Sequence, residues 1–176
     1  PLMCACTFNR VDNVTFWLKT FPDSNLEARN TVVGGVALGI AVFMGPNRFE
    51  LAGLLLKAGA KIDTLTFSGG SFLTAACENE DADPQVIRLL LNHGSDTKYR
   101  VSATVLKWKL IRQVAKTAVC GFKTSNGLLR YLAKESGATA LHYAAMRGDM
   151  QIVELLLSKG ADPSLKNDLG QDAAAM

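Results

Sequence analysis

Residues 137–163 read GATALHYAAMRGDMQIVELLLSKGADP, and they contain every part of a compact two-helix unit. Gly137 and Thr139 lead into a short helix carrying Leu141, Ala144 and Ala145. Gly148 and Asp149 turn the chain, Ile152, Val153, Leu155, Leu156 and Leu157 build a second helix, and Gly160 closes it. Ala144 and Ala145 are small enough to let a neighbouring helix approach closely, while the leucine run gives its helix a broad apolar face that it cannot cover alone. One such unit is unstable by itself, so the rest of the chain should supply copies that stack on it.

The order of a glycine and a threonine, a small-residue helix, a glycine turn and a leucine-rich helix ended by Gly160-Ala161-Asp162 resembles the ankyrin repeat. With Leu141 as the mark, its equivalents are Leu2, Leu38, Leu73 and Leu106, with Ala174 at the end, at spacings of 36, 35, 33, 35 and 33. Three residues beyond the mark stands a small residue in most copies: Ala5, Ala41, Ala76 and Ala144. Two independent markers at the family's period of about 33 argue for tandem repeats.

The resemblance implies an all-α ankyrin-type solenoid of about five repeats, the fourth irregular, forming a single domain over residues 1–176. The expected copies are 1–30, 31–65, 66–98, 99–133 and 134–166, with a partial one at 167–176. In the first copy the second helix is expected over Val11–Thr20, with Val14, Phe16, Trp17 and Leu18 as its apolar positions. The second copy places helices over Leu38–Phe43 and Phe49–Lys57 around a Gly45-Pro46-Asn47 turn. The third runs Phe72–Cys77, inserts the acidic loop Glu78–Asp83, and starts its next helix at Pro84, a favourable first position for proline. In the fourth, Lys109 stands where other copies have alanine and no Gly-Ala-Asp ending follows, so a long helix over about Thr104–Val119 is expected instead. The chain opens on Pro1-Leu2 without the start of a repeat and shows no polar outer face there, so it is expected to belong to a longer chain.

Composition sets the broad class: 176 residues at 48% hydrophobic suffice for one well-buried domain. Cys4, Cys6, Cys77 and Cys120 lack the CxxC pairs and histidine partners of a zinc site, and the chain is not a cysteine-dense scaffold. They are expected to be reduced, mostly buried thiols, with no metal and no cofactor, in an intracellular protein. The apolar stretch from Val32 to Gly45 falls short of the roughly 20 residues a membrane helix needs, so it is expected to pack inside the domain. Asn13-Val14-Thr15 matches a glycosylation acceptor whose context, a secreted chain, is missing.

Charge is segregated. Residues 97–134 hold nine basic side chains and no Asp or Glu, so the overall +3 combines a +9 block with a −6 remainder. On a helix, Lys109, Arg112 and Lys116 fall within an arc of roughly 60 degrees, while Leu106, Leu110, Val114 and Ala118 line another side. The stripe is either a solvated face or a site for an acidic peptide, phosphate or nucleic acid. No dinucleotide fingerprint, phosphate loop, zinc-protease motif or carboxylate pair occurs, and no enzyme activity is expected. His93 sits at a helix end as a cap, and the resemblance gives His142 a structural role, bonding backbone between turns.

What the resemblance implies is a protein-binding module, a scaffold or adaptor, that meets a partner protein through its concave face and turn tips. The exposed variable positions would be Phe43, Met44, Phe67, Ser68, Glu78, Asn79, Arg100, Arg112, Met146 and Arg147, with Lys109 and Lys116 added by the basic stripe. The alternatives are an anionic ligand at the basic repeat, either a lipid headgroup such as a phosphoinositide or nucleic acid, and a regulatory or targeting segment of a larger enzyme or channel.

Overall fold

The computed structural model describes residues 1–30, 35–66, 68–102, 110, 111, 113, 114, 117 and 136–176. The helices with described bounds are α1 (Leu2–Thr7), α2 (Val11–Thr20), α3 (Ala37–Phe43), α4 (Arg48–Lys57), α5 (Phe72–Glu78), α6 (Pro84–Asn92), α7 (Ala140–Arg147) and α8 (Met150–Ser158), followed by a 3-10 turn at Ala173–Ala175. Each consecutive pair packs together as a layer. α1, α3, α5 and α7 then stack in one row, and α2, α4, α6 and α8 in a second. This is the all-α ankyrin-type stack, and the limits of the described helices lie within a residue or two of those expected, while both ends of the long helix expected over about Thr104–Val119 lie outside the described residues.

Local chemistry starts and stops these helices. Ser71 Oγ accepts from the Thr74 amide at 3.2 Å, Asp83 Oδ1 from Gln85 at 2.8 Å, and Asp149 Oδ1 from Ile152 at 3.2 Å, each satisfying an amide that the first turn leaves open. Pro84 occupies the first turn of α6, where no amide is needed. Gly148 ends α7 with φ of 71°, the left-handed conformation that glycine adopts without steric cost.

The marker leucines Leu2, Leu38, Leu73 and Leu141 all lie in one continuous core, together with Ala41, Ala76 and Ala144. Leu106 falls outside the described residues. At the end of the chain Ala173, not Ala174, is the buried residue. Within the apolar segment that is too short for a bilayer, α3 buries Ala37, Leu38, Ala41 and Val42 in the core, while Val32, Val33 and Gly34 lie outside the described residues. A Cβ at Gly39 would stand only 3.0 Å from Phe72 Cε1. Glycine there lets the aromatic ring of the next layer settle against α3. Among the described residues no helix is long and apolar enough to cross a membrane.

Several apolar positions face outward, contrary to expectation. Phe16 is exposed because it lies two residues, about 200° of helix, from the buried Val14. Leu157 is 42% exposed, one step of about 100° from the fully buried Leu156. Cys4 is exposed while Cys6 and Cys77 are buried. Leu110 and Val114 have helical backbone and are 58% and 62% exposed, so the apolar side expected of that helix meets solvent at these two positions. Cys120 lies outside the described residues.

Most of the expected fourth copy lies outside the described residues, but the junction on either side of it is described. α5 packs directly on α7, and across this junction the Val101 amide donates to the Ala138 carbonyl at 2.8 Å while the Gly137 amide donates to the Val101 carbonyl at 3.0 Å. The Ser102 amide also donates to the Gly69 carbonyl. Val101 and Gly137 therefore lie side by side at this junction. Deleting residues 103–135 and joining Ser102 to Ser136 by a short Gly-Ser linker is expected to preserve cooperative melting, because α5 and α7 already touch and a shorter connection costs less entropy to close. A midpoint within about 5 °C of the parent, followed by circular dichroism, is the expected result. Loss of a cooperative transition would show that the deleted residues complete the core.

Candidate functional site

The stack has two edges where chain reversals project: the fingers that connect one layer to the next, and the turns that join the two helices within a layer. The finger edge is tied by side chains reaching across layers. Glu27 accepts from the Lys61 amide at 2.9 Å and from Thr64 Oγ1 at 2.5 Å. Arg100 donates to the Gly137 carbonyl at 3.2 Å and pairs with Asp168 at 3.0 Å, and Ser136 Oγ donates to the other Asp168 oxygen at 2.5 Å. Gly137, with φ of 75°, sits so close to this pair that a Cβ would lie 2.5 Å from Asp168 Oδ1 and 2.7 Å from Arg100 Nη2. Of the candidate contact residues, Arg100 thus locks one finger to the next, and Ser68 sits at a finger tip with its hydroxyl 3.2 Å from that of Thr66.

His142 takes part in the same cross-layer bonding. The Thr139 amide donates to its Nδ1 at 3.1 Å, which leaves the ring proton on Nε2 to donate to the Gln171 carbonyl at 3.1 Å. Burial lowers its pKa, and the nearby Arg100 charge pushes the same way against the hydrogen bond to Gln171 and the charge of Asp172. A histidine whose folded-state pKa is depressed binds fewer protons folded than unfolded, so stability is full above about pH 6.5 and falls as pH drops through that value. His142→Gln should flatten this dependence in urea unfolding measured between neutral and mildly acidic pH. An unchanged slope would mean another group carries it. His93 is a helix-end residue as expected, its Nδ1 2.9 Å from the Leu89 carbonyl.

The turn edge is where the candidate residues meet. Asn9 Oδ1 accepts from the Asn47 amide at 3.3 Å, joining the first and second layers. Asn79 Nδ2 donates to the Phe43 carbonyl at 2.8 Å, and Arg48 Nη2 donates to the Asp81 carbonyl at 2.5 Å, joining the second and third. Arg147 then reaches from the end of α7 to the carbonyls of Asn79 and Glu80, joining the third and last. Phe43, Asn79 and Arg147 are therefore linked directly by hydrogen bonds, while Met44, Glu78 and Met146 are their chain neighbours at the same helix ends. The remaining candidates, Phe67, Lys109, Arg112 and Lys116, lie outside the described residues.

This edge also holds residues absent from the sequence-based set: Arg48, Phe49, Glu80, Asp81 and Met150. Phe49 and Met150 had a legible signal, a large apolar residue in the first two positions after a helix cap, where polar residues are usual. Arg48 had none, and neither did the bonding of the candidate Arg147, since their partners are main-chain carbonyls about 33 and 67 residues away, the separation of each bond. Burial raises the Cys6 thiol to about 11 and the Cys77 thiol to about 12, so both hold their protons near neutrality. Among the described residues no group of three or more His, Cys, Asp or Glu is placed to hold a metal.

A family model for ankyrin repeats matches residues 38–167 in three copies. The chain belongs to the ankyrin repeat family. Ankyrin repeats are generic modules for protein–protein interaction, and the stack described above is their architecture. Among curated proteins, this ankyrin chain is 32% identical over 144 residues to the mouse (Mus musculus) B-cell lymphoma 3 protein homolog. The alignment covers 81% of this chain and 24% of that protein, so the chain spans about a quarter of the length of the relative it matches.

Proposed function

We propose that this ankyrin chain is a non-catalytic, intracellular protein-binding module that meets its partner through the first-helix face and the adjoining turns, with Phe43, Met44, Glu78, Asn79, Met146 and Arg147 among its contacts. The observation that carries this reading is the hydrogen-bonded turn edge. Residues from three layers are tied to one another through Asn79 and Arg147, so a partner meets side chains that are already ordered and loses little entropy in binding them. Family membership supports the same reading. In this reading Ser68 and Arg100 are further contacts on the finger edge, and the protonated, buried Cys6 and Cys77 suit a reducing compartment.

The test is affinity capture with mass spectrometry using the parent chain and a Phe43→Ser, Met146→Ser double variant of matched melting temperature. Partners retained by the parent and lost by the variant are the expected result. Identical capture by both would refute a role for this face.

The segregated charge favours one second reading, an anionic ligand at Lys109, Arg112 and Lys116. Binding to anionic vesicles or an oligonucleotide would then collapse between low and moderate salt and disappear on reversing the three residues to Glu. A partner held with no salt dependence would exclude it.

A further inference from the structure

Beyond Phe8 of the first layer, which is 73% exposed, four large apolar side chains are exposed on the turn edge among the described residues. Phe43 and Met44 end α3, Phe49 is the second residue of α4, and Met150 is the first of α8; they are 46%, 45%, 45% and 63% exposed. Chain reversals are ordinarily built from Gly, Pro, Asn, Asp and Ser, as Gly45-Pro46-Asn47 and Gly148-Asp149 are here, so the flanking Phe and Met residues are not required by the turns themselves.

Between these apolar groups, in the third layer, lies the acidic loop. Its backbone is pinned from both sides: Arg48 donates to the Asp81 carbonyl from the layer before, and Arg147 to the carbonyls of Asn79 and Glu80 from the layer after. Both guanidinium groups are engaged with main-chain oxygens. The Glu80 and Asp81 side chains are exposed, and their carboxylates accept no hydrogen bond among the described residues. Among the described residues the edge carries the carboxylates of Asp12, Glu50, Glu78, Glu80, Asp81, Asp83 and Asp149 against the guanidinium groups of Arg10, Arg48 and Arg147. Along the stack the order is apolar, acidic, apolar.

We infer that this turn edge docks an amphipathic, basic peptide segment of the partner, its apolar side chains meeting Phe43, Met44, Phe49 and Met150 and its Lys or Arg residues meeting Glu80 and Asp81. The inference rests on the protein-binding reading above and adds the chemistry of the partner. Charge selects the occupant. An anionic lipid surface or nucleic acid would be repelled by the loop, and a second copy of this chain in a two-fold contact would set the same acidic loop against itself. Exposed aromatic and methionine side chains supply contact area, and the carboxylates on the pinned loop supply steering and selection against acidic competitors.

The test is a displayed random-peptide library selected on the full chain. Enriched peptides are then synthesised, labelled with fluorescein and titrated against the parent and three double variants: Glu80→Lys with Asp81→Lys, Met44→Ser with Met150→Ser, and Asp23→Lys with Asp63→Lys as a charge-matched control on the finger side. Melting temperatures equal to the parent establish that each variant is folded, and Glu80→Gln with Asp81→Asn replaces the lysine pair if that pair unfolds. The expected peptides combine Lys or Arg with apolar residues at helical spacing. Their dissociation constants should rise about tenfold or more, roughly 1.4 kcal/mol, in both edge variants and stay within about twofold in the control. Enrichment of acidic peptides, or binding lost in the control and kept in the edge variants, overturns the inference and leaves the protein-binding reading standing. Failure of any peptide to enrich counts against both. A dimer seen by sedimentation and abolished by the methionine variant would assign the edge to self-association instead.

Discussion

Phe72→Ala is expected to lower the free energy of unfolding by about 3–5 kcal/mol, measured by urea denaturation. Phe72 opens α5, is wholly buried, and lays its ring over Gly39 of the preceding layer. Truncation removes the hydrophobic gain of a complete aromatic side chain. It also leaves a void that α3 cannot fill, because Gly39 has no side chain to move into it. The damage falls at an interface between layers, and in a stack stabilised by nearest-neighbour contacts a weakened interface uncouples what lies on either side. A broadened or two-step transition should therefore accompany the loss. A cost below about 1 kcal/mol would mean that the ring does not bridge the second and third layers.

Leu156→Ala should cost about 2–5 kcal/mol, whereas Leu157→Ala should cost less than about 1 kcal/mol. The sequence offers three consecutive leucines in α8, alike in chemistry. The structure buries Leu155 and Leu156 and turns Leu157 outward, since one residue of helix rotates the side chain by about 100°. The contrast between adjacent leucines tests the orientation of α8 more sharply than either variant alone. Equal costs would show that the helix is rotated from the described position.

The helices were legible because their signals are local. Ser71, Asp83 and Asp149 cap the helices they precede, Pro84 and Gly148 mark a start and a stop, and Leu38, Leu73 and Leu141 repeat at a period that only stacked units explain. The candidate contact set was legible in part, for the same reason. Phe43, Met44, Glu78, Asn79, Met146 and Arg147 are the ends of helices whose limits could be read, so their clustering on one edge followed from the period.

Other features were not legible. Nothing local to Arg147 names the carbonyls of Asn79 and Glu80 as its acceptors, and nothing local to Arg100 names Asp168. Counting from Leu73 to Leu106 to Leu141 suggested evenly spaced layers, yet α5 rests on α7 and Val101 meets Ala138. Periodicity measures distance along the chain, so an even count does not by itself say which layers touch.

By itself, then, the order of residues determined the helical class, the limits of the helices, the family and the absence of any recognised catalytic motif. All of these depend on neighbours a few positions apart or on a repeated spacing. Tertiary structure decided which layers touch, which leucine of a run is buried, and how Arg48 and Arg147 bind the acidic loop into one edge. Those outcomes depend on groups brought together from dozens of positions apart, and their geometry is set by the packing of the whole stack.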